Sequence, residues 1–392
     1  MTTRPFFRTA AALTLVATMT LLAGCGGKPK PDEEKDEQPE QLNALVGVLL
    51  PRSGLNKTEG DAILAGLELA LKLKGNAVGL DKSSLKIEDY GTHPEDLASY
   101  LSNLIEAEEV SVIVGPIEPD RVKVCESLAA KSKVPVLTSS SAEIPLMRVG
   151  STVWRLTYTD AQEGRAMAEF AAKKRYATVA VIDDSDMPAS IARGDAFFER
   201  FEALAGAGTV TRISYDRDVL DFRRIVRMVA YNTHAKPAAF YLTGRRLEVA
   251  NVLQQLKSMN VTGAVLGSTD WDAPRDFTLE VTPAASIFAP CRFFPERDDM
   301  TTRGFVKAFR SATGRDPGVL EALGYDAGLV VIDALKKGGD KPGAAAREIA
   351  GLKLLSGVTG QLAATGGSLA SEITVLRLVG KKFEYESNVK LK

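Results

Sequence analysis

The sequence has 392 residues, 45% hydrophobic and 25% charged, with a formal net charge of −1 at pH 7. It is too long for one ordinary core, so two lobes are expected, and a near-neutral balance without a basic stripe excludes nucleic acid as a partner. Three cysteines without paired spacing and two isolated histidines, His93 and His234, give no zinc pattern, so no metal and no cofactor are expected.

The chain opens on an address. Arg4 and Arg8 precede an apolar run over about 9–22, too short for a comfortable membrane span. It ends Leu22-Ala23-Gly24-Cys25, which resembles a bacterial lipobox, in which Cys25 becomes the lipidated first residue; the alternative is an ordinary secretory signal cleaved elsewhere. Residues 1–24 are then a signal peptide and 25–41 a lipidated cysteine with a tether. The tether holds Lys, Pro, Asp, Glu and Gln and no apolar side chain able to build a core. As a flexible coil it would span roughly 20–25 Å. A lipid plus a tether implies a folded domain held at the extracytoplasmic or periplasmic face of a membrane. No later apolar run is long enough to span a bilayer. Cys125 and Cys291 either pair in that oxidising compartment or stay as two buried thiols.

The first strand is expected over 42–50, followed by the loop Pro51-Arg52-Ser53-Gly54-Leu55-Asn56-Lys57. Thr58-x-x-Asp61 reads as a capping box, with Ile63, Leu64, Leu67 and Leu71 on the buried face of the helix. A second strand covers 85–90, and Thr92-x-x-Glu95 opens a helix that turns Leu97, Leu101, Leu104 and Ile105 inward. The stretch 110–142 organises the rest. Two short β-branched runs, 110–114 and 134–137, flank a helix carrying Val122, Cys125, Leu128 and Ala129, as buried parallel strands in a β-α-β unit do. Its polar loops, 115–120 and 138–142, lie at the carboxyl ends of their strands, where open α/β sheets bind ligands. Ser139, Ser140 and Ser141 bring hydroxyls and backbone N–H groups there, which suits a carboxylate. A strand over 153–157 leads out of the lobe.

From Asp160 the alternation restarts. Strands are expected at 179–182, 210–214, 238–242, 264–266 and 286–289, separated by helices built on Met167, Phe170 and Ala171, on Phe222, Ile225, Val226 and Val229, and on Ala250, Leu253 and Leu256. The exit loops are Asp183-Asp184-Ser185-Asp186-Met187-Pro188, Thr243-Gly244-Arg245-Arg246 and Gly267-Ser268-Thr269-Asp270-Trp271-Asp272. Helices at 302–312 and 319–337 follow. Glycines at 357–360 and 366–367 mark turns before a last strand at 373–378, and 381–392 reads as a polar, peripheral end. The fold class is α/β, two doubly wound parallel-sheet lobes.

The order of pieces resembles the type I periplasmic solute-binding proteins, the leucine/isoleucine/valine-binding branch of ABC-transporter receptors. The residues that carry this are Val46-Gly47-Val48-Leu49-Leu50-Pro51-x-Ser53-Gly54; Gly60 with Gly66-Leu67-x-Leu69-Ala70; Ile113-Val114-Gly115-Pro116; Val134-Pro135-Val136-Leu137 with its Ser run; Arg155-Leu156 before Thr159-Asp160-x-x-Glu163-Gly164; and Gly324-Tyr325-Asp326-Ala327. The resemblance implies three crossings between lobes, near Thr159, Pro290 and Gly357. The amino lobe would be 42–159 plus 291–357, and the carboxyl lobe 160–290 plus 358–392. It implies a small-molecule solute trapped between lobes that close over it, and an ABC permease that reads the closed form.

Mapped through the resemblance, the ligand-binding positions are Ser53, Glu118, Ser139, Ser140, Ser141, Ala142, Asp184, Asp186, Arg245, Asp270, Trp271 and Tyr325. Ser140 and Ala142 match the family's carboxylate contacts; the alternative is a Ser-rich turn capping a helix. Glu118 either points into the cleft or starts a helix. Pro119 falls where the family supplies a hydroxyl, the loop 184–188 lacks the family's aromatic residue, and Arg245 stands at a second aromatic position. The acid that grips an α-amino group falls close to Thr269 or Asp270. Asp270 would pair with an ammonium and Trp271 would wall the pocket, while Arg245 holds an anion or is a solvated helix start. Tyr325 lines the hinge side or packs. The expected solute is an amino acid or related carboxylate. A rival reading is a lipoprotein regulator, such as a cell-wall synthase activator, that uses the same fold for docking. No nucleophile elbow, zinc-protease motif or phosphate loop is present, and no enzyme is expected.

Overall fold

The computed structural model describes residues 43–141, 152–216, 218–219, 221–231, 236–271 and 286–391. The signal segment, Cys25, the tether, Ala142 and His234 lie outside the described residues.

The chain first builds a parallel sheet. β1 (Val46–Leu50) pairs with β2 (Leu85–Asp89) and β3 (Val112–Val114), then β3 with β4 (Val136–Thr138) and β4 with β5 (Val153–Arg155). Every residue of β1, β3 and β4 is buried, which is why these strands read as unbroken apolar runs. Between them run α1 (Lys57–Lys74), α2 (Leu97–Ser102) and α3 (Pro119–Ser132). The capping box expected at Thr58 is not formed. Thr58 already lies inside α1, and Asp61 is held by Arg52 and Lys57.

A second sheet follows. α4 (Asp160–Lys173) starts on a Thr159 cap, in which the Gln162 N–H donates to Thr159 Oγ1 at 3.1 Å and the Thr159 N–H donates to Gln162 Oε1 at 2.8 Å. Then come β6 (Val179–Asp184), α5 (Pro188–Ala205), β7 (Val210–Tyr215), α6 (Arg223–Tyr231), β8 (Ala239–Leu242), α7 (Arg246–Ser258), β9 (Ala264–Leu266) and β10 (Ile287–Cys291). β6 pairs in parallel with β7 and β8, β8 with β9, and β9 with β10.

The chain then returns to the first lobe through α8 (Met300–Thr313), α9 (Val319–Gly338), α10 (Pro342–Ala350), β11 (Leu355–Ser356), β12 (Gln361–Thr365) and β13 (Ser368–Ala370). It ends on β14 (Glu372–Val379) and β15 (Lys382–Lys390), which extend the second sheet in antiparallel fashion. The two sheets run β11-β12-β13-β5-β4-β3-β1-β2 and β15-β14-β10-β9-β8-β6-β7. Each is covered by packed side chains on both faces.

Sheet membership therefore moves the third passage between lobes from Gly357 to Ser371, between β13 and β14. Gly366 and Gly367, at φ 59° and 74°, form the turn joining β12 to β13 and do not end a domain. The closing segment is likewise a nine-residue strand. Its apolar alternation is hidden because the pairing shifts register at Val375/Leu376, so Phe383 packs against one face of the sheet and Val389 against the other.

Two glycine motifs far apart in sequence meet. A Cβ on Gly66 would stand on the carbonyl of Glu321, one on Gly324 on the carbonyl of Ile63, and one on Gly328 against Ala70. α1 and α9 thus touch backbone to backbone. Cys125 packs in the first lobe and Cys291 in the second; both are buried and free, and burial pushes each thiol up to about 12.

Candidate functional site between the two sheet edges

β5 and β10 both leave their sheets at the carboxyl end and lead directly into the other lobe. The carboxyl edges of both parallel sheets therefore adjoin the passages. Loops at such edges are where an open α/β sheet places a ligand, and most of the expected site residues lie on them.

On the first lobe, Glu118 ties three of these loops together. Its Oε1 accepts from Asn56 Nδ2 at 2.7 Å and its Oε2 from the Tyr90 hydroxyl at 2.6 Å, while the Ile117 N–H donates to Tyr90 at 3.2 Å. Glu118 stands at the N-cap of α3 but makes no side-chain cap. Ser53, after β1, lies 3.4 Å from the Thr92 hydroxyl. Past β4, Thr138 Oγ1 donates to the Pro116 carbonyl at 2.6 Å and accepts the Ser140 N–H at 3.1 Å. Ser140 is buried, and Ser139 and Ser141 are half-buried beside it.

The second lobe carries two charged clusters. In one, Asp184 is fully buried, and its Oδ2 accepts from Arg245 Nη1 at 2.9 Å and its Oδ1 from the Asp186 N–H at 2.9 Å. Asp184 thus braces the loop, holding Arg245 and the Asp186 N–H. In the other, Arg193 of α5 sits 1% exposed among three carboxylates. Asp160 lies 2.6 Å from Nη2, Glu163 lies 3.2 Å from Nε, and Asp270 pairs with Nη1. Thr269 adds its N–H and hydroxyl to Glu163 at 3.1 and 2.6 Å. Burial by itself would push the guanidinium down, but Glu163, Asp270 and Asp160 hold it above its ordinary value. Asp270, expected to meet an ammonium, already holds a cation.

One other expectation changes. Trp271 walls no pocket: it is wholly buried in the second-lobe core, and its ring packs on Gly267. Tyr325 packs 4.7 Å from Phe305 in the core cluster shared by α1, α8 and α9. A groove of about 580 Å³, lined by Arg297, Asp299, Glu372 and Tyr385 among others, contains none of the expected site residues. His93 is exposed beside Glu95.

Sequence reasoning missed Arg193 and Arg292. The readable signal for Arg193 was its place on the buried stripe Ser190, Arg193, Phe197, Phe201 of α5: a charge on an apolar helix face needs partners. Arg292 follows β10 directly and stacks its guanidinium 5.3 Å from the centre of the Tyr158 ring.

Burial pushes Asp160 up from 3.8 to about 6 against the pull of Arg193. It pushes Asp326 of α9 up to about 6 as well, against hydrogen bonds from Thr359 and the Val358 N–H. Both acids bind a proton more tightly folded than unfolded. Their contribution is complete below the ordinary value of 3.8 and is lost as the pH rises through about 6. The melting midpoint is expected to rise as the pH falls from about 7.5 to 5, equivalent to roughly 1–3 kcal/mol, and to rise less in Asp160→Asn. A flat or falling midpoint in the parent protein would contradict these assignments.

With the edges placed, comparison with known proteins decides the family. A family model described as periplasmic binding protein matches residues 45–382. The chain belongs to the periplasmic binding protein family. No curated relative matches it by sequence. Among solved structures it is similar to a protein from Rhodospirillum rubrum assigned to branched-chain amino acid ABC transport, at TM-score 0.79 and 20% identity, covering 88% of this chain and 100% of that one. It is also similar to a leucine binding protein from Thermotoga maritima, at TM-score 0.65 and 24% identity over 88% and 99%. A solute binding protein from R. palustris in complex with benzoate aligns at TM-score 0.64 and 19% identity over 89% and 97%. Periplasmic binding proteins are extracytoplasmic receptors for solutes, and the family is not one of enzymes. Among the described residues, no helix is long and apolar enough to cross a membrane.

Proposed function

We propose that this chain is a lipid-anchored receptor that traps a small polar solute, an amino acid or related carboxylate, between its lobes and hands it to an ABC permease. The observation that carries this reading is the pair of parallel sheets whose carboxyl edges both adjoin the three passages. A solute that contacts both edges is held best when the lobes are closed, so it shifts the population toward the form a permease reads. The serine loop at 139–141 supports a carboxylate, and the relatives named above include proteins of leucine and of benzoate binding. Cys25 behind its apolar run, followed by a charged tether, supports the anchor.

The test uses the full chain purified in detergent, with two readouts. Thermal-shift screening against amino acids, dicarboxylates, amides and short peptides is expected to raise the melting midpoint by several degrees for one class. Mass spectrometry of the intact protein is expected to show an acylated cysteine that is lost in Cys25→Ser. Stabilisation by none of these solutes would count against the receptor reading and favour a docking role.

A further inference from the structure

Beyond the strand ends, the first-lobe loops 51–57, 90–93 and 115–118 share no backbone–backbone hydrogen bond. The hydrogen bonds that join them run through side chains. Asp89, at the end of β2, makes one joint: it accepts the Arg52 N–H at 2.7 Å and the Gly91 N–H at 2.8 Å. Glu118 makes another and reaches further. It accepts from Asn56, 62 positions back in the loop after β1, and from Tyr90, 28 positions back in the loop after β2.

The surroundings suit Glu118 to this task. It is the N-cap residue of α3, where an acid ordinarily serves its own helix, yet its side chain makes no cap bond there. Asn56 stands likewise before α1 without a side-chain cap bond, so its amide is given to Glu118 and not to its helix. Tyr90 is 1% exposed. Burial, and then the Glu118 contact, hold its hydroxyl above its ordinary value, so it stays a donor. The same hydroxyl accepts the Ile117 N–H at 3.2 Å, so the loop after β3 is gripped at two adjacent residues.

A loop already held in place loses less freedom when a solute arrives, and that saving appears as affinity. Resting on the receptor reading, we infer that Glu118 is a positioning residue: it fixes the first-lobe loops in their binding arrangement before any solute arrives, and it acts on affinity through Asn56 and Tyr90. The three side chains then form one unit, and their removals should not add.

Hydrogen exchange read by mass spectrometry, on the full chain in detergent without solute, tests the brace. Glu118→Ala is expected to speed exchange about ten-fold over 52–57 and 91–93 and to leave β6 unchanged. Glu118→Gln, which keeps one acceptor oxygen, should fall between. Calorimetric titration then uses the member of the amino acid, dicarboxylate, amide and short-peptide panel that stabilises the parent most. Glu118→Ala is expected to weaken that binding about ten-fold. Added to an Asn56→Ala/Tyr90→Phe variant, it should cost nothing more. Unchanged exchange over 52–57, equal speeding in β6, or a further full loss of affinity in the triple variant would overturn the inference and leave the receptor reading standing. A parent protein that binds no member of the panel would overturn both.

Discussion

Replacing Gly324 with valine is expected to cost the protein about 3 kcal/mol or more and to lower its melting midpoint by roughly 10 °C, if the variant folds at all. The reason is the contact between α1 and α9. Gly324 faces the main chain of Ile63, and Gly66 faces the main chain of Glu321, so a side chain at either position meets backbone atoms that cannot rotate away. The helices would have to separate, and with them Ile63, Leu67, Leu323 and Val331, which fill the first-lobe core. Gly304 is the internal control. It lies on the exposed face of α8 with nothing near its missing Cβ, so Gly304→Ala should stabilise slightly through helix propensity. Circular-dichroism melts of the two variants decide the matter. A Gly324→Val protein that melted within about 2 °C of the parent would show that the helices do not approach so closely.

Removing the charge of Arg193 should be comparably severe. Arg193→Met keeps the length and the apolar stem but leaves Asp160 and Glu163 buried without the guanidinium that pairs them, and Asp270 partly so. Breaking a buried ion pair from one side costs about 3–5 kcal/mol, because the abandoned charge stays desolvated. Unlike the glycine variant, this loss should depend on acidity. Burial already pushes Asp160 up to about 6, and without Arg193 to oppose burial it should take up a proton at still higher pH. Urea unfolding near pH 7.5 and near pH 5 is expected to show a large deficit at the first and a smaller one at the second. A deficit equal at both values would mean that lost packing, not lost charge, is responsible. Asp270→Asn should cost much less, since its side chain is 27% exposed.

The parts of this architecture that were legible are those where local sequence and tertiary role agree. The short runs at 112–114, 136–138 and 264–266 are β-branched or aliphatic, buried on both faces and bounded by turn residues, so composition and environment give the same answer. β15 was illegible because a register shift sends Phe383 and Val389 to opposite faces and leaves a charged strand. The third passage was misplaced because the glycines at 357–360 are as good a boundary signal as any, and only pairing with β5 shows that 368–370 stays in the first lobe. At the site, the loops were found and their side-chain directions were not. Nothing local distinguishes a Trp271 that walls a pocket from one that turns inward, although Gly267, four residues earlier, is where its ring rests. Arg193 and Arg292 were missed because their importance lies in partners 30 or more positions away in one case, and in unpartnered buried nitrogens in the other.

The two free thiols bear on how the molecule moves. Cys125 and Cys291 are sealed in separate lobes, one behind each sheet. No disulfide between them restrains the angle between lobes, so the three backbone passages are left to set it together with non-covalent contacts. Each sulfur is also a private witness to its own half of the molecule. With burial pushing both thiols up to about 12, alkylation of either must wait for the surrounding lobe to breathe, and the order in which the two are modified would tell which half loosens first.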